Sequence, residues 1–575
     1  MPILMYNIIK SVLKRSNQMG EFGKLLIGIV VILLVGITFS VTENKKRLKY
    51  IKFNIVNNYG KDINLNEVMV KMRNVSSYFI NKNKKNTIDD ITWNDLNMDD
   101  VFKKINNTQS IAGQEVLYDM LRNPLHNQDV LTKRDKVIEY FKENEKERYE
   151  IQFILGKLGK SNELYITNCL FNKEDNSKSK LLQFRLLSWA PTLSLLLLFI
   201  NPISIILTIG FIVLNVFISQ RNKVRNYDAN GFSYMISLIN AANKIKEKNI
   251  YEIDENIDSI DESLKKLKKI RRKSVGVQEK SIISDMDVFA EYANLIFLRE
   301  LITYEKVKNT IIKNKEELKA VYEYVGIIDA LIGVASFRES LDFYTKPYLK
   351  ISEKKEDNNI EFKDIYHPLV KNPVLNNGNF SKGVLITGSN ASGKSTFIKT
   401  IAINAIMAQT IYTCFAKEYK SSYFNIYTSM ALKDDIHSSE SYYIVEIKSL
   451  KRILDQVRNS IPCLCFVDEI LRGTNTVERI ASSCEVLKNI GRENTLCFAA
   501  THDLELTYML DDIFENYHFE ETITDNDIKF DYKIHSGRTQ TRNAIKLLEF
   551  MGYDKNLVEN ANYRAKNFLD TGKWE

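Results

Sequence analysis

The chain is short of the residues that crosslink or punctuate a fold. Its 575 residues hold six cysteines, eight prolines and 22 glycines. Cys169, Cys414, Cys463, Cys465, Cys484 and Cys497 show no metal-ligand spacing, so the set suits a reducing, cytosolic compartment rather than a disulfide framework or a zinc site. Internal repeats and low-complexity tracts are also lacking, which sets solenoids aside. The formal net charge of +8 is modest for this length. It permits a nucleic-acid or anionic-lipid partner without demanding one. A chain this long exceeds one core and implies two to four domains.

Charge is missing from two stretches. Leu25 to Val41 is uncharged and at the short end for a spanning helix. A signal peptide competes with that reading, but no small-residue cleavage site comes after it. Leu186 to Ile218 is uncharged throughout, with Asn201-Pro202 in its middle. A long tilted helix and a hairpin of two short helices both fit, as does a buried soluble hairpin. Arg185 on one flank and Arg221, Lys223 and Arg225 on the other favour a hairpin with both ends in the cytoplasm. Lys10, Lys14, Arg15 and Lys24 precede the first span. Lys45, Lys46, Arg47, Lys49 and Lys52 lie just after it, a slight excess that places the C-terminal side of the span in the cytoplasm. The expectation is a multi-pass protein of the cell membrane with three spans, in contact with the lipid bilayer.

Glycine and proline are scarce across 88–180 and 225–350, where helix formers dominate. Ile253, Ile257, Ile260, Leu264, Leu267 and Ile270 fall on one helix face. Acids lead and bases end that stretch, finishing in "KKLKKIRRK". A phosphate or headgroup contact is one reading of the bases. A solvated helix that complements its own dipole is the other. "ELKAVYEYVGIIDALIGVA" at 317–335 reads as a second amphipathic helix, and "SEKKEDNNIE" at 352–361 as a domain boundary.

The chemistry is concentrated in the last third. "GVLI" is an apolar strand, "TGSNASGKST" at 387–396 a loop, and "FIKTIAINAIM" a helix. Gly388, four residues, then Gly393, Lys394 and Ser395 is the spacing of a phosphate-binding loop. Consecutive backbone N–H groups at a helix start cradle an anion there. Lys394 would reach the β- and γ-phosphates, and Ser395 would ligate Mg²⁺. "CLCFVDEI" at 463–470 is an apolar strand ending in two acids. Asp468 can hold the magnesium through water, and Glu469 can take a proton from the attacking water. "TLCFAATHDLEL" brings His502 to another strand end, facing the ligand crevice.

Together these segments resemble the ATPase domain of the MutS mismatch-repair family. "ITGSNASGKSTFIKT" looks like its phosphate loop, "ALKDDIHSSESYYIVEI" its signature segment, "VDEILRGTNTVERIAS" its Walker B region and "ATHDLELT" its His loop. "YHPLV" at 366–370 is similar to the segment near the adenine. "VFKKINNTQSIAGQEVLYDMLRNPL" at 101–125 and "LTKRDKVIEYF" at 131–141 resemble the start of the helical core. The resemblance covers most of 88–575. It implies an α/β, ABC-like P-loop ATPase at 361–575 preceded by an all-α core, a homodimer, ATP with Mg²⁺, and DNA as partner. Carried over by position, Gly388, Ser389, Asn390, Ala391, Ser392, Gly393, Lys394, Ser395 and Thr396 form the phosphate loop, with His367 near the base. Ser395 and Asp468 hold the metal, while Glu469, His502 and Lys394 are catalytic. Ser441 is the signature serine that reaches the partner's nucleotide.

Three departures accompany the match. Glu440 stands where the family has a base beside that serine. The mismatch-reading domain is missing from the resemblance, since Phe141-Lys142-Glu143 and Phe289-Ala290-Glu291 fit its aromatic-x-Glu wedge only within helical text. Uncharged stretches interrupt the core. The organisation read from the sequence is an N-terminal segment 1–24, a span 25–41, a linker 42–87, core 88–185, a membrane hairpin 186–218, core 219–350 and the ATPase domain. The expected function is a membrane-anchored MutS-like ATPase that binds DNA. The rival is an ATP-driven membrane machine with no nucleic-acid partner.

Overall fold

The computed structural model describes residues 38, 42–65, 72–82, 87–160, 166–171, 180–197, 200–221, 223–273, 295–299, 301–302, 305, 313–389, 392–430, 442–457, 461–524, 527–539 and 544–574. Among them, helices alone precede residue 340 and both sheets come after it. The span expected at 25–41 lies, apart from residue 38, outside the described residues.

The helical part is built on Lys315–Glu339. Its sequence suggested one apolar face, yet Leu318 and most residues from Val321 to Arg338 are buried. Helices Ile111–Arg122, Gln128–Glu143, Lys223–Lys246 and Asp261–Lys273 pack around it, so it is a core helix whose solvent contact is mainly a stripe near its start, at Glu316 and Glu323. Two glycines permit the closest crossing. A Cβ on Gly113 would collide with Asp329, and one on Gly326 with Val116. Asp329 is fully buried and satisfied, accepting from Gln109 N (2.8 Å), Ser110 N (2.7 Å) and Ser110 Oγ (2.5 Å).

Glu115 lies in the same crossing and accepts from Tyr322 Oη at 2.6 Å and Ser77 Oγ at 3.4 Å. Burial pushes its carboxyl from the ordinary 4.5 up to about 8, against the pull of those two hydroxyls. The folded value lies above the unfolded one. Its stabilising contribution is therefore complete below pH 4.5 and is lost as pH rises through about 8. Glu115→Gln should flatten the fall of melting temperature across that window. A slope equal to wild type would remove Glu115 as its source.

Two local readings changed in the fold. The single helix face at 253–270 is split into Tyr251–Asn256 and Asp261–Lys273. Ile257 is extended, and Ser259 Oγ accepts from Asp261 N at 3.4 Å, which starts the second helix. Ile253, Ile257, Ile260 and Leu267 are still all buried. The stretch 42–87, read as a linker, contains a helix at 42–58 whose Ile51 and Ile55 pack into the core. A Cβ on Gly156 would lie 2.8 Å from Ile51, and the Arg148 guanidinium stacks 3.6 Å from the Tyr59 ring centre.

Residues 186–218 form most of two antiparallel helices, Leu181–Leu196 and Ser204–Arg221. Asn201 makes the turn, its side chain accepting from Ile203 N at 3.0 Å and its carbonyl from Ser204 N at 3.1 Å. The seam between them is polar. Ser194 Oγ donates to Thr208 Oγ1 at 3.0 Å, and Asn215 Nδ2 donates to Leu187 O at 2.9 Å and Ile296 O at 2.7 Å. The outer surface is apolar, with Leu193, Ile200, Ile206, Val213 and Phe217 exposed. Two described helices are long and apolar enough to cross a membrane. Lys315–Glu339 is 83% buried over its apolar window and belongs to the core, whereas Ser204–Arg221 is only 17% buried.

After residue 340 the strands are β1 (Tyr348–Lys350), β2 (Ile360–Ile365), β3 (Asn376–Phe380), β4 (Gly383–Thr387), β5 (Glu418–Ser422), β6 (Asn425–Ser429), β7 (Cys463–Asp468), β8 (Thr495–Ala500), β9 (Phe514–Thr524) and β10 (Asp527–Ser536). One sheet has the order β1-β5-β2-β3, the other β10-β9-β4-β8-β7-β6. In the larger sheet β9, β4, β8, β7 and β6 are parallel and β10 is antiparallel. Both of its faces are covered, as a parallel sheet requires. Leu464, Phe466 and Phe498 join the core shared with the helices, and Cys463, Cys465, Val467 and Cys497 pack on the other face. Those cysteines are free and buried, so packing accounts for them.

The two halves are riveted at Arg338. Its side chain is wholly buried and spends every donor. It donates to Asp135 and Glu139 at 2.7 Å each, to Thr413 Oγ1 at 2.9 Å, and to Tyr412 O and Ile411 O at 2.9 and 3.3 Å. Ile411 to Thr413 come directly after the helix Lys394–Thr410, so the end of that helix is fastened to the core.

Candidate nucleotide-hydrolysis site

β4 lies between β8 and β9, and its carboxyl end opens into the phosphate loop. The loop returns into the helix Lys394–Thr410. Gly388 and Gly393 stand at φ +141° and +105°, a region that excludes side chains. A Cβ on Gly388 would sit 3.0 Å from Phe519 O, and one on Gly393 would sit 3.2 Å from Tyr532. The loop is therefore lined by β9 and β10 as well as by its own helix.

Lys394 is buried and donates to Gly388 O and Ser389 O, both at 2.7 Å. Burial lowers its pKa to about 8, opposed by Asp468 and Glu521. Ser389 Oγ also donates to the Glu521 carboxylate. Ser395 and Thr396 are exposed at the helix start, and Asn390 and Ala391 lie outside the described residues.

β7 ends in Asp468 beside β8, which ends just before Thr501-His502. The parallel register thus sets both acids and the histidine at adjacent strand ends. Glu469 leaves the strand at φ +56°, and His502 Nε2 lies 3.1 Å from its Oε1. The Arg472 guanidinium pairs with the other oxygen of Glu469. Burial lowers the His502 pKa, with Lys394 and Arg472 adding to the effect, so the ring favours its neutral form.

A magnesium nucleotide fits these groups. Among the described residues, Ser392 Oγ and Asp468 Oδ1 are buried without a hydrogen-bond partner. Buried polar atoms are ordinarily satisfied, so two orphans beside a cationic lysine suit an anionic, metal-bearing ligand.

His367 lies in the turn after β2. Its Nδ1 accepts from Leu369 N at 3.2 Å, and burial, with Lys399 adding to it, pushes its pKa down to about 4. Ser441 lies outside the described residues, one position before the helix Tyr442–Gln456. Arg472 and Glu521 were not singled out from the sequence. Arg472 falls within the quoted "VDEILRGT", three residues after Glu469, while Glu521 reaches the loop from β9 with no local signal. Phe141, in one aromatic-x-Glu stretch, is fully buried, and 289–291 lie outside the described residues.

A phosphate loop, paired acids and a histidine at neighbouring parallel strand ends are the arrangement of a P-loop nucleotide-binding domain. The model of MutS domain V, the ATPase domain of that family, matches residues 384–569. The DNA mismatch repair protein MutS of Methanosarcina mazei is 30% identical over 281 residues, 45% of this chain and 30% of the relative. MutS protein homolog 4 of Mus musculus is 31% identical over 288 residues, 46% and 29% of the two chains. The MutS protein of Clostridium novyi is 29% identical over 320 residues, 52% and 32%. The chain spans about a third of the length of these relatives. Residues 384–569 thus match the MutS domain V model, and about half of the chain is similar to MutS proteins.

Proposed function

We propose that this chain is a membrane-anchored ATPase of the MutS type, in which ATP binding and hydrolysis switch a homodimer and its helical core acts on DNA. The observation that carries the enzymatic part is the Glu469–His502 contact of 3.1 Å, set at the strand ends beside the phosphate loop. Glu469 takes a proton from the attacking water, whose oxygen bonds the γ-phosphorus as ADP departs. His502, neutral, can orient that carboxylate. Ser395 and Asp468 would hold the Mg²⁺, which would neutralise phosphate charge. The central assay is Mg²⁺-dependent ATP hydrolysis by the purified full chain.

The reversed polarity of the hairpin supports anchoring. Its buried seam is Ser194, Thr208, Asn215 and Ser219, and its exposed surface is leucine, isoleucine and phenylalanine. Water favours the opposite arrangement, and a bilayer favours this one. The 18 residues of Ser204–Arg221 rise about 27 Å, close to the hydrocarbon thickness. Helices from before and after the hairpin pack on each other, Ile111–Arg122 against Lys315–Glu339. That favours both flanks in the cytoplasm with the ATPase domain, Asn201-Pro202 outside, and three spans in the cell membrane. Single cysteines introduced near 60 and 300, in a background without the native six, should label from one side. Labelling from opposite faces would defeat this topology.

An ATP-driven membrane machine without nucleic acid is the second reading, favoured by the burial of Phe141 and the modest net charge. Detergent-solubilised protein should retain DNA at low salt and release it steeply as salt rises. DNA should also accelerate ATP hydrolysis. Failure of both would leave the second reading.

A further inference from the structure

We propose that Glu446 is a positioning residue for Glu469, binding the turn that carries the general base to the helix that begins just after Ser441. The inference rests on the ATPase reading above, in which Glu469 is that base.

The turn after β7 needs holding. Glu469 and Leu471 both stand at φ +56°, where an L side chain is disfavoured. Only some of its groups are held by the sheet and the helix beyond. Glu469 N donates to Ala500 O at 2.9 Å, and Ser483 Oγ reaches Ile470 O at 3.5 Å. Besides the His502 and Arg472 contacts to the Glu469 carboxylate, the turn is gripped by the helix Tyr442–Gln456. Leu471 N donates to the Glu446 carboxylate, and Gly473 closes on Tyr443, where a Cβ would lie 2.9 Å from the tyrosine's own.

Glu446 is 7% exposed, and its other oxygen has no hydrogen-bond partner among the described residues. A buried carboxylate placed in this way costs desolvation, offset here by a backbone amide of the turn. Burial raises its pKa, while the Leu471 and Arg472 amides lower it. Glu446 lies five positions after Ser441, on the helix that Ser441 leads into. If Ser441 meets the partner's nucleotide, a displacement of that helix reaches Leu471 N through Glu446, two residues from the base. Occupation of one composite site then adjusts the base of the other.

Three variants separate this role from packing. Glu446→Ala should bind ATP within about twofold of wild type and slow single-turnover hydrolysis by about 10-fold or more, a smaller loss than removing the base itself. Glu446→Gln keeps an oxygen that accepts the Leu471 N–H and should recover most of the rate. Glu446→Leu fills the space without an acceptor and should not. In the unaltered protein the Leu471 amide should exchange slowly with solvent although it lies in a turn, a readout that needs no variant to fold. Wild-type hydrolysis by Glu446→Ala, a Glu446→Leu as active as Glu446→Gln, or a freely exchanging Leu471 amide would each overturn the proposal. Full activity of Glu469→Ala would instead refute the assignment of the base and leave the exchange result to judge Glu446.

Discussion

Glu469→Ala is expected to bind ATP as wild type does and to hydrolyse it about 10²-fold or more slowly, the loss typical of a positioned general base. Glu469 stands at the strand end beside the phosphate loop, and His502 Nε2 lies 3.1 Å from its Oε1, close enough to align it. Lys394→Ala should fail one step earlier. Its ammonium is buried against the loop carbonyls, where a phosphate would feel it with little screening, so its removal weakens nucleotide binding itself. Equilibrium binding and single-turnover rates, measured on both variants, distinguish the two losses. Equal turnover in wild type and Glu469→Ala would take Glu469 out of the role.

Mixing two inactive variants should restore activity if the sites are composite. In the ABC-like arrangement the partner's serine completes the site opposite the phosphate loop, and the resemblance implies Ser441 for that role. Glu440 beside it would repel the phosphates unless it turns away or pairs with a base. Ser441→Arg should abolish hydrolysis while each subunit still binds ATP, and ATP should promote dimerisation. A mixed dimer of Ser441→Arg with Lys394→Ala then holds one site with an intact loop facing an intact serine. Random exchange makes half of the dimers mixed, so turnover should return to about a quarter of wild type for a two-fold symmetric assembly. A mixture as inactive as its components, with subunit exchange proven, would refute composite sites in this protein.

How much was legible depended on the range of the interactions. The phosphate loop is a local device, glycine spacing plus a strand and a helix, and the described part of "TGSNASGKST" takes that shape. Asp468, Glu469 and His502 could be grouped from sequence because each ends an apolar strand, and parallel pairing brings such ends together. Lys315–Glu339 misled because alternating small and large apolar residues look amphipathic when only part of the helix is read. Its burial depends on four helices distant in sequence. The helix at 42–58 was hidden by its lysines, which remain at the surface while Ile51 and Ile55 face the core.

The sequence by itself determined the chemistry and its order along the chain, because strand ends, glycine loops and uncharged runs are written in neighbouring residues. The tertiary structure decided which groups act on one another. Arg338 spends its donors on residues from two segments far from it in sequence, Glu446 meets Leu471 across 25 positions, and Asn215 bonds Leu187 and Ile296 in opposite directions along the chain. Such contacts carry no periodicity. They form because a buried polar group must find a partner, and only the packed chain fixes which partner is within reach.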